Sequence, residues 1–414
     1  MVRRVLLGCT TLLVCASPAS AQKLRDRLNG LFTFGGWTLP MQVGTVAPDG
    51  QSILPSDAFR TAQTNAAIGS FLVNWMTANA SSAPIASTGG GRTFRVVGGV
   101  PVAARPTPGP IFGERATTLG RGAVLAGVSY TGVQFTRVRG IPLDAVRLTL
   151  TQGVSASASA DVIDVQAALD YDMAVTALST TVGVLDRVDL GVVLPLVHTR
   201  LTGESTARVV SGGSGAPSTV LGGTPDAPVL SSRQAIGGRV SGIGDVALRA
   251  KVNLVDRPAG GFGVVGDVRL PTGDADNLLG SGSFSARVLG VYSGRFAALT
   301  PYANAGYLYF ADRAINDAFL ATVGVDADMA PWVTVSLSFV GQLQAGSSAY
   351  RLPAGRGASP LTNIPEIRDD ALSASLGAKL GVRGLRVTAN VLAPYTNGGP
   401  RPDLAYTLGV ERAF

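Results

Sequence analysis

The chain has 414 residues, with 34 Lys+Arg against 27 Asp+Glu and a formal net charge of +7. That excess is mild and forms no Lys/Arg-rich run, so nothing supports nucleic-acid binding. One histidine excludes a two-His metal site, and Cys9 and Cys15 are the only cysteines, so the chain beyond them holds no thiolate site and no structural disulfide.

The N-terminus reads as an export leader. Arg3 and Arg4 precede an apolar run from Val5 to Val14, and Ala19-Ser20-Ala21 is a small-residue cleavage signal ahead of Gln22. The run is too short to span a bilayer as a helix. A short N-terminal anchor is the alternative. Segment 1–21 is therefore expected to be a signal peptide, and a cysteine-free remainder suits passage through an oxidising periplasm.

From Gln22 to about Arg121 the pattern is partly helical. Leu24, Leu28, Leu31 and Phe32 share one helical face. Ser56-Asp57 is a good N-cap pair, and Ile68, Phe71, Leu72, Trp75 and Met76 then form a stripe at i, i+3, i+4, i+7 and i+8. Residues 81–110 are rich in Gly, Pro, Ser and Thr. Such a helix can enter a barrel lumen as a plug or pack at its periplasmic mouth; a loose tail is the third reading. A charged lumen would offer an apolar stripe no apolar neighbour, which favours the mouth.

The remainder, 122–414, poses a puzzle. Mean hydropathy is +0.30 and 15% of residues are charged, yet no apolar run after Gln22 is long enough for a spanning helix. A backbone in lipid must satisfy its own hydrogen bonds, and the other spanning solution is a closed barrel whose strands alternate lipid-facing and lumen-facing side chains. Val246, Leu248, Ala250, Val252 and Leu254 oppose Asp245, Ala247, Arg249, Lys251 and Asn253. Twelve such segments follow, at roughly 122–137, 163–182, 187–203, 243–255, 261–272, 284–293, 298–311, 318–330, 332–346, 370–382, 384–396 and 404–414. Short and long links alternate between them, as in outer-membrane barrels with short periplasmic turns. The expected fold is thus all-β: a transmembrane antiparallel barrel of about twelve strands with a partly helical N-terminal segment. Phe414, on one face with Tyr406, Leu408 and Val410, resembles the C-terminal signal read by the barrel-insertion machinery. Tyr307 and Tyr309 suit an aromatic girdle.

Catalytic chemistry is sparse. His198 is followed by Thr199 and Arg200, no GxSxG elbow occurs, and the glycine-rich runs lack the Lys of a phosphate loop. No catalytic, cofactor-binding or metal residue is assigned, and no cofactor is expected. The alternation places Asp170, Asp172, Asp245, Asp267, Arg249, Lys251, Arg269 and Arg287 on the lumen face. Four of each sign suggest a mutually paired lining.

Gly109-Pro110-Ile111-Phe112-Gly113-Glu114-Arg115 with Thr118-Leu119-Gly120-Arg121-Gly122 resembles the leading motif of an outer-membrane family labelled for the meta pathway of phenol degradation. Asp186-Arg187-Val188-Asp189-Leu190, Gly242-Ile243-Gly244-Asp245-Val246, Leu270-Pro271-Thr272-Gly273-Asp274, Leu279-Gly280-Ser281-Gly282 and Asn304-Ala305-Gly306-Tyr307 follow in its order. The resemblance implies an architecture related to long-chain fatty-acid channels and passage of small hydrophobic or aromatic solutes. The expected role is passive uptake of such a solute through the outer membrane of a Gram-negative-type bacterium, with outer-membrane lipid as the surroundings. The rivals are a structural or surface-interaction barrel and an outer-membrane hydrolase. N-terminal sequencing of the protein from fractionated envelopes should begin at Gln22 in the outer membrane; an intact Met1 chain in the inner membrane would refute the leader.

Overall fold

The computed structural model describes residues 22–34, 37–38, 71–72, 76, 94–97, 100–103, 113–151, 161–211, 221, 223–224, 227–349 and 362–414. The leader, the Ser56-Asp57 cap, and Ile68 and Trp75 of the helical stripe lie outside these residues.

Thirteen long strands build the wall: β1 (Val124–Val138), β2 (Val162–Leu185), β3 (Val188–Val210), β4 (Ser231–Ile243), β5 (Ala247–Arg257), β6 (Gly260–Arg269) and β7 (Ser285–Gly294), then β8 (Leu299–Phe310), β9 (Ala318–Ala330), β10 (Val333–Gln344), β11 (Ala371–Val382), β12 (Leu385–Pro394) and β13 (Pro400–Ala413). All but β4 form a closed antiparallel ring of twelve, in which β13 returns to β1 and β2 pairs with β3. The seam is sealed at the chain end by Phe414 N–H on Val124 C=O at 2.8 Å and the reverse bond at 3.2 Å. Closure leaves no sheet edge in lipid, which is what a spanning sheet requires.

The short turns fall at one end and the long links at the other. Arg383-Gly384 has positive φ at both central residues (48° and 83°), the type I′ geometry that suits a two-residue hairpin. Short turns mark the periplasmic end of an outer-membrane barrel. Alternation along each strand sets the faces. Val128, Leu178, Leu190, Val192, Leu248, Phe262, Val288, Val323, Leu337, Leu376 and Leu408 are exposed on the outside. Tyr307 and Tyr309 stand outward near the long-link end of β8, and Tyr307 packs edge-on against Phe319 with centroids 5.2 Å apart. Phe414, Trp332 and Phe296 are exposed at the opposite end.

On β2 and β3 the inward face is the odd one: Leu169, Tyr171, Met173, Val197 and Leu201 are buried. Asp170 and Asp172 therefore point outward, which corrects their assignment to the lumen. Asp172 lies 3.9 Å from Arg200, and Gln134 donates to Asp170. Their outer neighbours Gln166, Thr206, Arg208, Arg233 and Arg239 are polar as well. Here the strands have risen above the lipid, so both faces lose the simple code of apolar outside and polar inside.

β4, read from sequence as part of a long loop, extends the wall further. It pairs with the long-link half of β3, whereas β5 pairs with the short-turn half. Between them the wall breaks at Gly244–Val246, where three of the quoted motifs meet. Thr272 Oγ1 donates to Gly244 C=O at 2.7 Å and accepts from Val246 N–H at 2.9 Å. Asp245 accepts from Gly273 N–H at 3.0 Å and from Ser281 N–H and Oγ–H, each at 2.8 Å. The motif residues thus replace ladder bonds that the break removes. A Cβ on Gly280 would sit 2.4 Å from Asp245 Oδ1, so the site requires glycine.

The apolar core lies inside the long-link half. Helix α1 (Leu24–Gly30) buries Leu24 and Leu28, with Leu31 and Phe32 just after it. Together with Phe71, Leu72 and Met76 they join Val165, Tyr171, Met173, Leu201, Val209 and Phe310 in one cluster. The described part of the stripe therefore packs inside the long-link end and not at the short-turn mouth. The lumen there is apolar, so the mismatch expected for a charged lumen does not arise. Gly203 and Gly238 let α1 approach the wall: an added Cβ would lie 2.9 Å from Leu31 and 2.5 Å from Leu24.

Two outward substitutions test the faces. Leu248→Arg places a charge in the lipid band and should lower stability in vesicles by about 2–4 kcal/mol. Asp170→Arg, above that band, should stay within about 0.5 kcal/mol. Equal losses in urea unfolding would mean that the membrane boundary is misplaced.

Candidate functional site

Below the apolar core the inner wall changes character. Thr131, Thr322, Thr334, Ser336, Ser338, Ser375, Thr388, Asn390 and Thr407 are all inward and buried. A cationic row faces them on β5 to β7, made of Arg249, Lys251, Arg269 and Arg287 at alternate inward positions. Asp267 binds two of these. It takes Arg249 Nε at 2.5 Å and Arg287 Nε at 2.7 Å.

The remaining charge comes from a segment threaded through the lumen. Glu114 and Arg115, just ahead of the wall, are both buried. Glu114 Oε1 lies 2.7 Å from Arg249 and Oε2 lies 3.0 Å from Lys251. Arg115 pairs with Asp326 on β9 at 2.5 Å, both side chains almost fully enclosed. Backbone contacts hold the thread along its length. Glu114 N–H donates to Asn304 Oδ1 and its C=O accepts from Asn304 Nδ2, both at 2.8 Å. Ala116 N–H donates to Ser293 and its C=O accepts from Asn253. Leu119 N–H donates to the Asp189 carboxylate at 3.0 Å. Gly113 lies against Tyr302, where an added Cβ would come within 2.3 Å of the ring.

Sequence reasoning missed Glu114 and Arg115 as site residues, although they stand inside a quoted motif. The available signal was a charged pair directly before the first strand, inside a motif that resembles the family's leading one. Of the eight predicted lumen residues, the structure brings Arg249, Lys251, Asp267, Arg269 and Arg287 together. Asp245 is buried but committed to the wall break. Asp170 and Asp172 lie outside.

Just above the ion pairs is a cavity of about 70 Å³, lined by Asp267, Arg269, Ser285, Arg287, Leu308, Phe310, Leu320 and Gln342. A second, of about 340 Å³, opens at the short-turn mouth beside Thr117–Arg121 and Asp186. His198 faces outward in mid-β3, with Nδ1 2.7 Å from Ser241 Oγ. Asp172, the nearest outward carboxylate along the neighbouring strand, engages Arg200 instead, so no carboxylate is seen orienting the imidazole among the described residues.

At the long-link end the N-terminal segment is tied to the loops. Lys23 and Arg25 reach Asp276 at 2.5 and 3.0 Å. The hydrogen bond from Lys23 holds the Asp276 carboxyl below its ordinary range, so the contact is present at neutral pH and lost as pH falls through the lowered value. Arg139 makes two 2.9 Å bonds to Asp369 and lies 5.3 Å from the centroid of the Phe71 ring.

A family model described as "Putative MetA-pathway of phenol degradation" matches residues 147–355, about half of the chain. The chain belongs to this family. Among solved structures it is similar to an outer membrane channel from Pseudomonas putida F1, with 14% identity and a TM-score of 0.44 over 72% of this chain and 97% of the other. It is also similar to a Pseudomonas aeruginosa FadL homologue (12%, 0.33, over 72% and 91%) and to the P. putida toluene transporter TodX (8%, 0.34, over 71% and 90%). No curated protein matches. At these scores the assignment rests on the family match and on the closed barrel itself. The motifs singled out in the sequence acquire a physical meaning here. Those at 113–122, 186–190 and 304–307 dock the thread, and those at 242–246, 270–274 and 279–282 repair the wall break.

Asp326→Ala leaves Arg115 enclosed without its partner, a loss of about 3–5 kcal/mol if nothing moves. The thread should therefore loosen. In an Ala116→Cys background, maleimide labelling in the folded barrel should rise at least tenfold on adding Asp326→Ala. Unchanged labelling would show that the pair does not hold the thread.

Proposed function

We propose that the protein is a passive outer-membrane channel for a small solute with a hydrophobic or aromatic part. It is exported by its leader to the outer membrane of a Gram-negative-type bacterium. There the insertion machinery reads the strand ending at Phe414. It acts as a conduit and not as an enzyme. One observation carries this reading: the short-turn half of the lumen is filled by a threaded segment and not by wall side chains alone. Beside the cation row, the wall facing the thread carries small polar residues such as Ser293, Ser336, Ser375, Thr388 and Asn390, so displacing the thread opens a passage. A barrel that serves only as a structural element would be expected to fill its own core with wall side chains, as small barrels do.

The lumen has two compartments with different solvation. The long-link half offers apolar surface around Tyr171, Met173 and Phe310, and the short-turn half offers hydroxyls and ion pairs. A neutral, strictly polar solute gains nothing in the first, and a pure hydrocarbon must cross the second. The family description fits a small aromatic solute such as a phenol, which suits both.

The test is a chain lacking residues 23–122, which removes α1 and the thread but no wall strand. It should fold to a heat-modifiable barrel whose single-channel conductance exceeds that of the full chain severalfold. Phenol entry into vesicles should rise with it. A folded deletion barrel with unchanged conductance and no phenol entry would refute the channel and favour the surface-interaction reading.

A further inference from the structure

The cation row is not neutralised by the protein. Arg249, Lys251, Arg269 and Arg287 face Glu114 and Asp267, and both carboxylates are already shared between two cations each. The other buried carboxylates nearby are engaged by backbone N–H groups, Asp245 by Gly273 and Ser281 and Asp189 by Leu119. Arg269, inward on β6 and half-buried, has no hydrogen-bond or ion-pair partner among the described residues. Its neighbour across the ladder is Ser285, and Arg287 stands opposite Asp267. The guanidinium donors of Arg269 are thus unfilled by the protein and open to an anion.

The recess has a second property. Beside Arg269 and Arg287 its walls are Leu308, Phe310 and Leu320, with the Gln342 amide at the rim. A guanidinium fork matches a carboxylate in geometry and charge. The three apolar side chains match the edge of a ring. The volume, about 70 Å³, is roughly half of that in an apolar cavity known to take benzene, so a carboxylate and the adjoining ring edge fit while the rest of the solute faces the lumen.

Building on the channel reading above, we infer that Arg269 and its recess form a binding site for small aromatic monocarboxylates, placed where the apolar and polar compartments meet. The anion supplies the charge that the wall lacks. A neutral aromatic leaves the Arg269 donors unfilled, and a small inorganic anion leaves Leu308 and Phe310 bare. The site thus selects the combination of ring and carboxylate, and it does so with residues from five consecutive strands, β6 to β10.

The experiment is calorimetric titration of the full chain in detergent micelles with sodium benzoate, benzyl alcohol and sodium acetate. Benzoate should bind at least tenfold more tightly than either of the others. Arg269→Gln should weaken benzoate at least tenfold and leave benzyl alcohol unchanged, and Arg269→Lys should recover part of the loss. Should Arg269→Gln not fold, Leu308→Asn serves: it should weaken benzoate severalfold and leave acetate unchanged. Benzyl alcohol binding as tightly as benzoate, acetate binding as tightly as benzoate, or no effect of the folded variants would each overturn the site. Vesicle entry of neutral phenol is measured in parallel. Phenol entry without benzoate binding sinks this proposal alone, and benzoate binding without phenol entry sinks the channel reading alone.

Discussion

Every feature of this molecule follows from the need of a backbone in hydrocarbon to pair with itself. Twelve strands meet that need by closing, and the closing pair is made at the last residue, Phe414, against the first wall residue, Val124. The same need explains the chemistry of the wall break. Where β4 gives way to β5 the ladder skips, and Thr272 and Asp245 take over the orphaned groups. The motif glycines are there because Gly273 and Gly280 approach so closely that neither tolerates a side chain. Sequence conservation of such a cluster would therefore report wall integrity, not solute recognition.

Closure creates a second problem, an interior too wide for the wall side chains to fill. The protein solves it with its own N-terminal segment. In the short-turn half the thread is held by charge, through Glu114 with Arg249 and Lys251 and through Arg115 with Asp326. Buried pairs of this kind contribute little net stability but are costly to break singly, so they fix position more than they add strength. In the long-link half the filling is apolar, through α1 and the Phe71–Met76 face, and its strength is that of ordinary hydrophobic burial. The two halves of the plug are thus held by different forces. Salt and pH act on the first and leave the second largely untouched.

Strand positions were legible because lipid enforces period-two alternation: the twelve segments read from sequence match the ring to within a few residues along most of the chain. The pattern failed where lipid is absent. Asp170 and Asp172 alternate as a lumen pair should, but they stand on a strand that has left the membrane, where outward positions are also polar. β4 was hidden for the same reason, since Arg233, Arg239 and Ser241 give it no apolar outer face. The helical stripe was visible, but its partner surface was not, because the apolar inner face of β2 and β3 looks like any hydrophobic strand until closure shows which side is inside. Glu114 and Arg115 lacked a period altogether. Their role depends on three different wall strands, β5, β8 and β9, and no local pattern encodes that.

The charge balance shows the same logic at the scale of the site. Counted from sequence, the lumen holds four carboxylates and four cations and needs nothing else. Once Asp170 and Asp172 move outside and Asp245 is committed to backbone, Glu114 is the carboxylate gained beside the cation row, Asp326 being taken by Arg115 and Asp189 by Leu119, and a positive surplus remains beside the recess at Arg269. A closed wall keeps this surplus facing inward, because the strand register fixes Arg269 and Arg287 on the lumen face. The surplus is therefore a property of the folded barrel that a solute can use, and it sits at the level where any molecule passing between the two compartments must exchange one kind of surroundings for the other.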